Sequence, residues 1–226
     1  MTDRRSHSKL TEPETDDGPS DAVTTSASTA EEAATDDTST DRSTRRPIAS
    51  GADAVIDALE RAGVTTLFGV QGGAIMPVYD ALYDSSLTHV TMAHEQGAAH
   101  AADAYGIVTG NPGVCLATSG PGATNLITGI ADANMDSDPM IALTGQVPTA
   151  LVGNDAFQET DTIGVTAPVT KTNYFASDPD TVGDQVAEAF ALAGAGRPGP
   201  TVVDLPKDVT LGETSKAPAD GRTPDT

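Results

Sequence analysis

Two hydrophobic periods alternate along the middle of this chain. Residues 52–63, ADAVIDALERAG, place Ala54, Val55, Ala58, Leu59 and Ala62 on one helical face, and Gly63 supplies a stop. TTLFGV (65–70) is a short β-rich run. GAIMPVYDALYDS (73–85) is helical again, with Pro77 tolerated only in the first turn. THVTMAH (88–94) predicts a strand and EQGAAHAADAYGIVTG (95–110) a helix of mostly small residues. GVCLATS (113–119) predicts a strand, GATNLITGIADANMDS (122–137) a helix, and MIALTGQ (140–146) a buried strand. Residues 154–170 have no clear period. YFA (174–176) reads as a short strand, TVGDQVAEAFALAGAG (181–196) as a helix, and PTVVDLP (200–206) as a last strand.

Continuously apolar strands that alternate with helices predict a sheet buried on both faces. The expected fold is α/β: one doubly wound, mainly parallel six-stranded sheet with helices on both sides. Ligands in such sheets sit at the carboxyl ends of the strands. The residues that follow each strand therefore carry the candidate chemistry.

Charge sharpens the domain limits. Residues 1–47 hold 11 acids and 6 bases in long Ser/Thr/Asp/Ala runs, with almost no large aliphatic side chains. Such a segment cannot bury enough apolar surface to offset its ordering entropy, so we expect a disordered acidic tail there. Residues 213–226 have the same composition and the same expectation. The expected folded domain is 48–212. It carries 19 acids against Arg61, Lys171, Arg197 and Lys207, so its acidity is its own. The whole chain of 226 residues has a formal charge of −21. Nucleic acid and anionic membranes are disfavoured as partners. Self-repulsion on this scale points to a salt-adapted, halophilic protein. The lone Cys115 excludes an internal disulfide framework and fits a reducing cytoplasm. No apolar run reaches the roughly 18 residues of a membrane span, and the N-terminus has no apolar signal stretch.

The strand ends read, in order, Gln71-Gly72-Gly73-Ala74, then His94-Glu95-Gln96-Gly97, then Thr118-Ser119-Gly120-Pro121-Gly122-Ala123-Thr124-Asn125, then Thr144-Gly145-Gln146-Val147-Pro148. Glycines there let a ligand approach the backbone closely. Taken generically, Ser-Gly-Pro-Gly is a phosphate nest. No Gly-x-Gly-x-x-Gly and no Gly-Lys-Ser/Thr loop supports a dinucleotide or a nucleoside triphosphate. Glu95 is one of four glutamates in 48–212 and falls where a strand end starts a helix. By position alone it is an acid favoured by the helix dipole. The small residues of the helix behind it suit close packing, against the sheet or against the same helix of a partner subunit.

The runs GVQGGAIMPVYDAL, HEQGAAHAADAYG, TSGPGATN, ALTGQVP, DAFQETD and GRPGPTVVDLPKDV, in this order, resemble the N-terminal, pyrimidine-binding domain of the acetolactate synthase (acetohydroxyacid synthase) large catalytic subunit. The resemblance covers about 48–212 and implies a thiamine-diphosphate enzyme of branched-chain amino-acid (isoleucine and valine) biosynthesis, a transferase acting on pyruvate. It implies that Glu95 hydrogen-bonds N1′ of the cofactor's aminopyrimidine, promotes loss of the thiazolium C2 proton, and is shielded from water. It implies that Gly72, Gly73 and Ala74 lie beside the reacting centre. Ser119, Gly120, Pro121, Gly122, Ala123, Thr124 and Asn125 then close over the cofactor region. Phe157 and Gln158 line the substrate pocket, and Pro148 and Lys207 its access channel. From the residues alone, Phe157 reads as a core side chain and Lys207 as a solvated charge; the resemblance favours the functional reading of both.

The chain departs from the family at Val70-Gln71, where Tyr-Pro is common. It departs again at Thr149-Ala150 after Pro148, where many relatives place an arginine. Second-substrate preference therefore does not carry over. The family's magnesium- and diphosphate-binding Gly-Asp-Gly…Asn motif does not occur in these residues, and no metal ligands are assigned. The expectation is half an active site, holding the aminopyrimidine end of thiamine diphosphate. Magnesium and FAD belong to the complete enzyme, and the implied assembly is a homo- or hetero-oligomer with a chain that carries the diphosphate-binding domain. The alternatives are the pyrimidine-binding subunit of a two-chain 2-oxoacid (sulfopyruvate-type) decarboxylase, or a non-catalytic paralogue that binds a partner.

Overall fold

Ser50 opens the first helix with a reciprocal cap. Its hydroxyl accepts from the Asp53 backbone N–H, and the Asp53 carboxylate accepts from the Ser50 N–H at 2.9 Å. The computed structural model describes residues 47–218, which lie in one compact unit. The expected tails at 1–46 and 219–226 lie outside the described residues. Helix α1 spans Gly51–Arg61, and Gly63 turns the chain out at φ 80°. Then follow β1 (Thr66–Gly69), α2 (Met76–Tyr83), β2 (Thr88–Thr91), α3 (Glu95–Thr109), β3 (Gly113–Ala117), α4 (Pro121–Asn125), α5 (Ile127–Asp136) and β4 (Met140–Gln146). The remainder is α6 (Thr162–Thr166), β5 (Thr172–Phe175), α7 (Val182–Gly194), β6 (Pro200–Pro206) and α8 (Lys207–Leu211).

The six strands form one sheet in the order β2-β1-β3-β4-β6-β5, and every neighbouring pair is parallel. Alternation along the central strands builds two cores. Leu67, Val114, Leu116, Ile141, Leu143, Val203 and Leu205 face α1, α2 and α7. Cys115, Ala117, Met140, Ala142 and Val202 face α3 and α5. The second face is made of smaller side chains, and its helices sit close. A Cβ at Gly113 would strike the Ala102 carbonyl, and one at Gly129 would stand 2.5 Å from the Ala99 Cβ. The small residues of α3 are thus used in packing on the sheet and on α5 within the chain.

Several boundaries differ from the sequence expectation, each for a local reason. Helix α2 begins at Met76 rather than 73, because Pro77 has no N–H to donate and so takes its first turn. The helix predicted over 122–137 divides at Leu126, whose N–H turns back to the Ala123 carbonyl at 3.2 Å. Residues 154–170, without clear period, hold α6 and a following 3-10 turn at Ala167–Val169. The expected tail begins at 213, yet 213–218 pack against the domain. Glu213 bridges Ser50, Thr214 is buried with its N–H on the Ala49 carbonyl, and Pro218 lies close against Gly183.

The topology creates the site. β1 and β3 are neighbours, but the chain leaves β1 toward α2 on one face and leaves β3 toward α4 and α5 on the other. Their loops diverge beyond the carboxyl edge of the sheet, the place where a crevice for ligands is expected in open α/β sheets.

Candidate functional site

Three chain segments converge at that edge. The first is the loop after β1. A Cβ at Gly72 would meet the Thr118 side chain, 2.7 Å from its Oγ1, so only glycine fits there. The Thr118 hydroxyl accepts from the Ala74 N–H at 3.2 Å and ties this loop to the end of β3. Around Gly73 the space is open within 4 Å.

The second segment is the turn after β3. Gly120 has φ 55°, and a Cβ on it would lie 2.6 Å from the Gln158 carbonyl oxygen. Ser119 is buried, and Pro121 takes the first turn of α4. Gly122 faces the third segment, the head of α3. A Cβ at Gly122 would lie 2.8 Å from Thr118 Cγ2 and 3.6 Å from Glu95 Oε1.

Glu95 is the first residue of α3 and is half-buried. His94 caps the helix, its Nδ1 accepting from the Gln96 N–H at 3.1 Å. The Asn125 side-chain amide donates to Glu95 Oε2 at 3.0 Å. That bond leaves Oε1 on the side of Gly122. Shielding of Glu95 from water is therefore partial within this chain. The residues gathered here include an acid with one oxygen committed to Asn125, and a glycine turn held on Thr118 with open space at Gly73. A carboxyl group held at one oxygen by Asn125 fits the polar edge of a nitrogen-bearing ring.

The substrate-side candidates form a second group along the same sheet edge. Gln146 and Pro206 are in register at the ends of β4 and β6, so Pro148 and Lys207, just beyond, leave the sheet side by side. Thr149 donates its backbone N–H to Asp208 Oδ1 at 2.9 Å, which links the two exits. Pro148 and Lys207 are both half-buried. Phe157 is 87% exposed, so the alternative of a core phenylalanine does not hold. Gln158 is at φ 56° with its backbone against Gly120, a left-handed conformation that is unusual for a non-glycine residue. Glu159 shapes this loop from within, its carboxylate accepting from the Gly153 and Ala156 N–H groups. Those backbone donors, Gly153 first, hold its carboxyl below the usual range.

A buried polar group beneath the loop was not singled out from the sequence. Asp204 is 1% exposed, accepting from the Thr144 hydroxyl at 2.7 Å and from Gln146 Nε2 at 3.0 Å. Gln146, also 1% exposed, donates to the Thr160 carbonyl at 2.8 Å and accepts from the Val147 N–H at 2.8 Å. Burial pushes the Asp204 carboxyl up to about 6, with the Thr144 and Gln146 hydrogen bonds pulling the other way. The signal was present in the sequence. ALTGQ and VVDLP are apolar strands interrupted by Thr144, Gln146 and Asp204, and a polar side chain inside a buried strand needs a partner.

Residues 49–165 match the family described as thiamine pyrophosphate enzyme, N-terminal TPP binding domain, and the chain belongs to that family. Among curated relatives, the probable acetolactate synthase large subunit of Methanocaldococcus jannaschii is 58% identical over 163 residues, which are 72% of this chain and 28% of that protein. The acetolactate synthase large subunit of Parasynechococcus marenigrum is 56% identical over 164 residues, 71% of this chain and 27% of the relative. The acetolactate synthase of Mycobacterium bovis is 56% identical over 165 residues, 73% of this chain and 27% of the relative. The chain thus spans little more than a quarter of the length of these relatives. Among the described residues, no helix is long and apolar enough to cross a membrane.

Proposed function

We propose that this chain is the cofactor-activating part of an acetolactate synthase, which decarboxylates pyruvate and joins the resulting two-carbon unit to a second 2-oxoacid in branched-chain amino-acid biosynthesis. The observation that carries the reading is the Glu95–Asn125 pair at the carboxyl edge of the sheet, beside the Gly72 and Gly122 turns that both pack on Thr118. Thiamine diphosphate, when bound, supplies the carbon nucleophile for this chemistry. The chain's own residues hold the aminopyrimidine end and manage one proton. Asn125 can only donate through its Nδ2, so it commits Glu95 Oε2 as an acceptor and leaves Oε1 to carry the proton shared with the ring nitrogen. Gly72, Gly73 and Ala74 admit the ring beside the reacting centre. The Ser119–Asn125 turn would cover it, with Gly122 packed on Thr118 so that the turn runs close to Glu95.

Phe157, Gln158, Pro148 and Lys207 form the substrate side. The Lys207 ammonium draws anionic 2-oxoacids toward an otherwise acidic chain. Residues for the diphosphate, magnesium and FAD come from sequence other than these 226 residues, in a homo- or hetero-oligomer that completes the water exclusion around Glu95. A reducing cytoplasm suits the single buried Cys115. The relatives' names favour this reading over the sulfopyruvate-type decarboxylase subunit.

The test combines the purified chain with the complementary C-terminal portion of a related large subunit, thiamine diphosphate, magnesium, FAD and pyruvate. Acetolactate is expected from the combination and not from the chain alone. Turnover by the chain alone, or none from a co-purifying combination, overturns the proposal.

A further inference from the structure

The loop that carries Phe157 and Gln158 has few side-chain anchors of its own. Phe157 faces solvent, and Glu159 bonds only within the loop. One link to the sheet runs through the Thr160 carbonyl to Gln146 Nε2, and from the same nitrogen to Asp204 Oδ2; the Thr162 side chain, just beyond the loop, also approaches the Asp204 carboxyl. Asp204 is held in turn by Thr144, its register partner across β4 and β6. At its other side the loop abuts Gly120, where the Gln158 backbone occupies the space of a missing Cβ. One buried amide therefore spans from the sheet to the loop, and the loop then meets the turn that leads to Asn125 and Glu95.

We propose that Gln146, oriented by Asp204, is a positioning residue that docks the 153–160 loop against the Gly120 turn and so sets the place of Phe157 and Gln158. The inference rests on the reading of this sheet edge as the substrate side of the site. Its physical basis is the geometry of a carboxamide. Gln146 Oε1 is occupied by the Val147 N–H, which fixes the amide plane. Both acceptors of Nε2, the Asp204 carboxylate and the Thr160 carbonyl, then lie at set positions. An ionised acceptor strengthens the orienting bond, and enclosure in low dielectric makes each remaining bond costly to lose.

Hydrogen exchange on the full chain, read by mass spectrometry, tests this without reference to turnover. In Gln146→Met, amides of 153–162 are expected to exchange roughly tenfold faster or more, while β3 and α3 keep wild-type protection. Asp204→Leu should loosen the same segment. Asp204→Asn should retain protection, because its carboxamide oxygen accepts from Gln146 and its NH2 donates to the Thr144 hydroxyl. Should Gln146→Met fail to fold with a buried, under-paired carboxylate, the double variant Gln146→Met/Asp204→Asn removes that charge and keeps the question open to measurement. Loop exchange unchanged from wild type, or acceleration spread evenly over all elements, overturns the assignment, as does failure of Asp204→Asn to retain protection. A chain that makes no acetolactate in any combination would count against the functional reading alone, since the exchange result does not depend on it.

Discussion

Asn125, at the end of the short helix α4, donates its side-chain amide to Glu95 at the head of α3, 3.0 Å away. Residues from two different strand ends thus meet as one donor–acceptor pair. In the assembled enzyme, Glu95→Gln should lower acetolactate formation by at least about 100-fold, because a carboxamide cannot move the proton. Asn125→Ala keeps the acid but frees its second oxygen, and a loss of about tenfold in kcat is expected from one hydrogen bond. Steady-state rates on the two variants check both. A near-wild-type Glu95→Gln enzyme would remove Glu95 from the chemistry.

The glycine loop after β1 makes a paired prediction. Gly72→Ala drives a methyl into the Thr118 side chain and should destabilise the chain by about 1–3 kcal/mol. Gly73→Ala meets nothing within 4 Å, and its stability should stay within about 0.5 kcal/mol of wild type. Urea denaturation of the two variants separates a steric requirement from a general preference for glycine.

Asp204 gives stability a pH dependence of known sign. Burial raises its carboxyl from the ordinary 3.8 to about 6, and the neighbouring Asp161 adds to the rise. The folded state therefore holds this proton more tightly than the unfolded state. The contribution is fully present below about pH 4, falls as pH rises, and is gone above about pH 6. Its size is roughly 3 kcal/mol. Unfolding free energies of wild type and Asp204→Asn, measured from pH 4 to pH 7, should diverge by an amount of that order. Parallel curves would mean that the carboxyl titrates normally.

Acidity of the folded part predicts a response to salt. Between α3 and α5, Asp103 is buried beside Asp132 and Asp138, and burial with those two like charges pushes its carboxyl up to about 6. Such crowding, in a chain of net charge −21, is relieved by screening. We propose salt adaptation, and expect the melting temperature to rise as KCl is raised from low to molar concentration. A flat or falling curve would leave the acidity as an ordinary surface property.

Much of the fold was legible because burial on both faces imposes a continuous apolar signature on each strand. MIALTGQ and PTVVDLP emerge as β4 and β6 with the expected limits. Helix ends were less legible where a single hydrogen bond decided them, as at Leu126. The segment 213–218 read as tail because its composition is polar. Its order comes from packing by Thr214 and Pro218 against the body of the domain, which composition does not register.

The site divides along the same line. The order of motifs, the glycines at strand ends and an acid at the start of α3 are local features, set by backbone demands within a few residues, and the chain by itself declares them. That Gly72 abuts Thr118, that Gln158 fills the space at Gly120, and that Asp204 reaches Gln146 across 58 positions depend on which strands become neighbours. The order β2-β1-β3-β4-β6-β5 is set by how two apolar faces are best covered at once, a property of the whole packed chain that no local period contains. Only the tertiary structure could decide it.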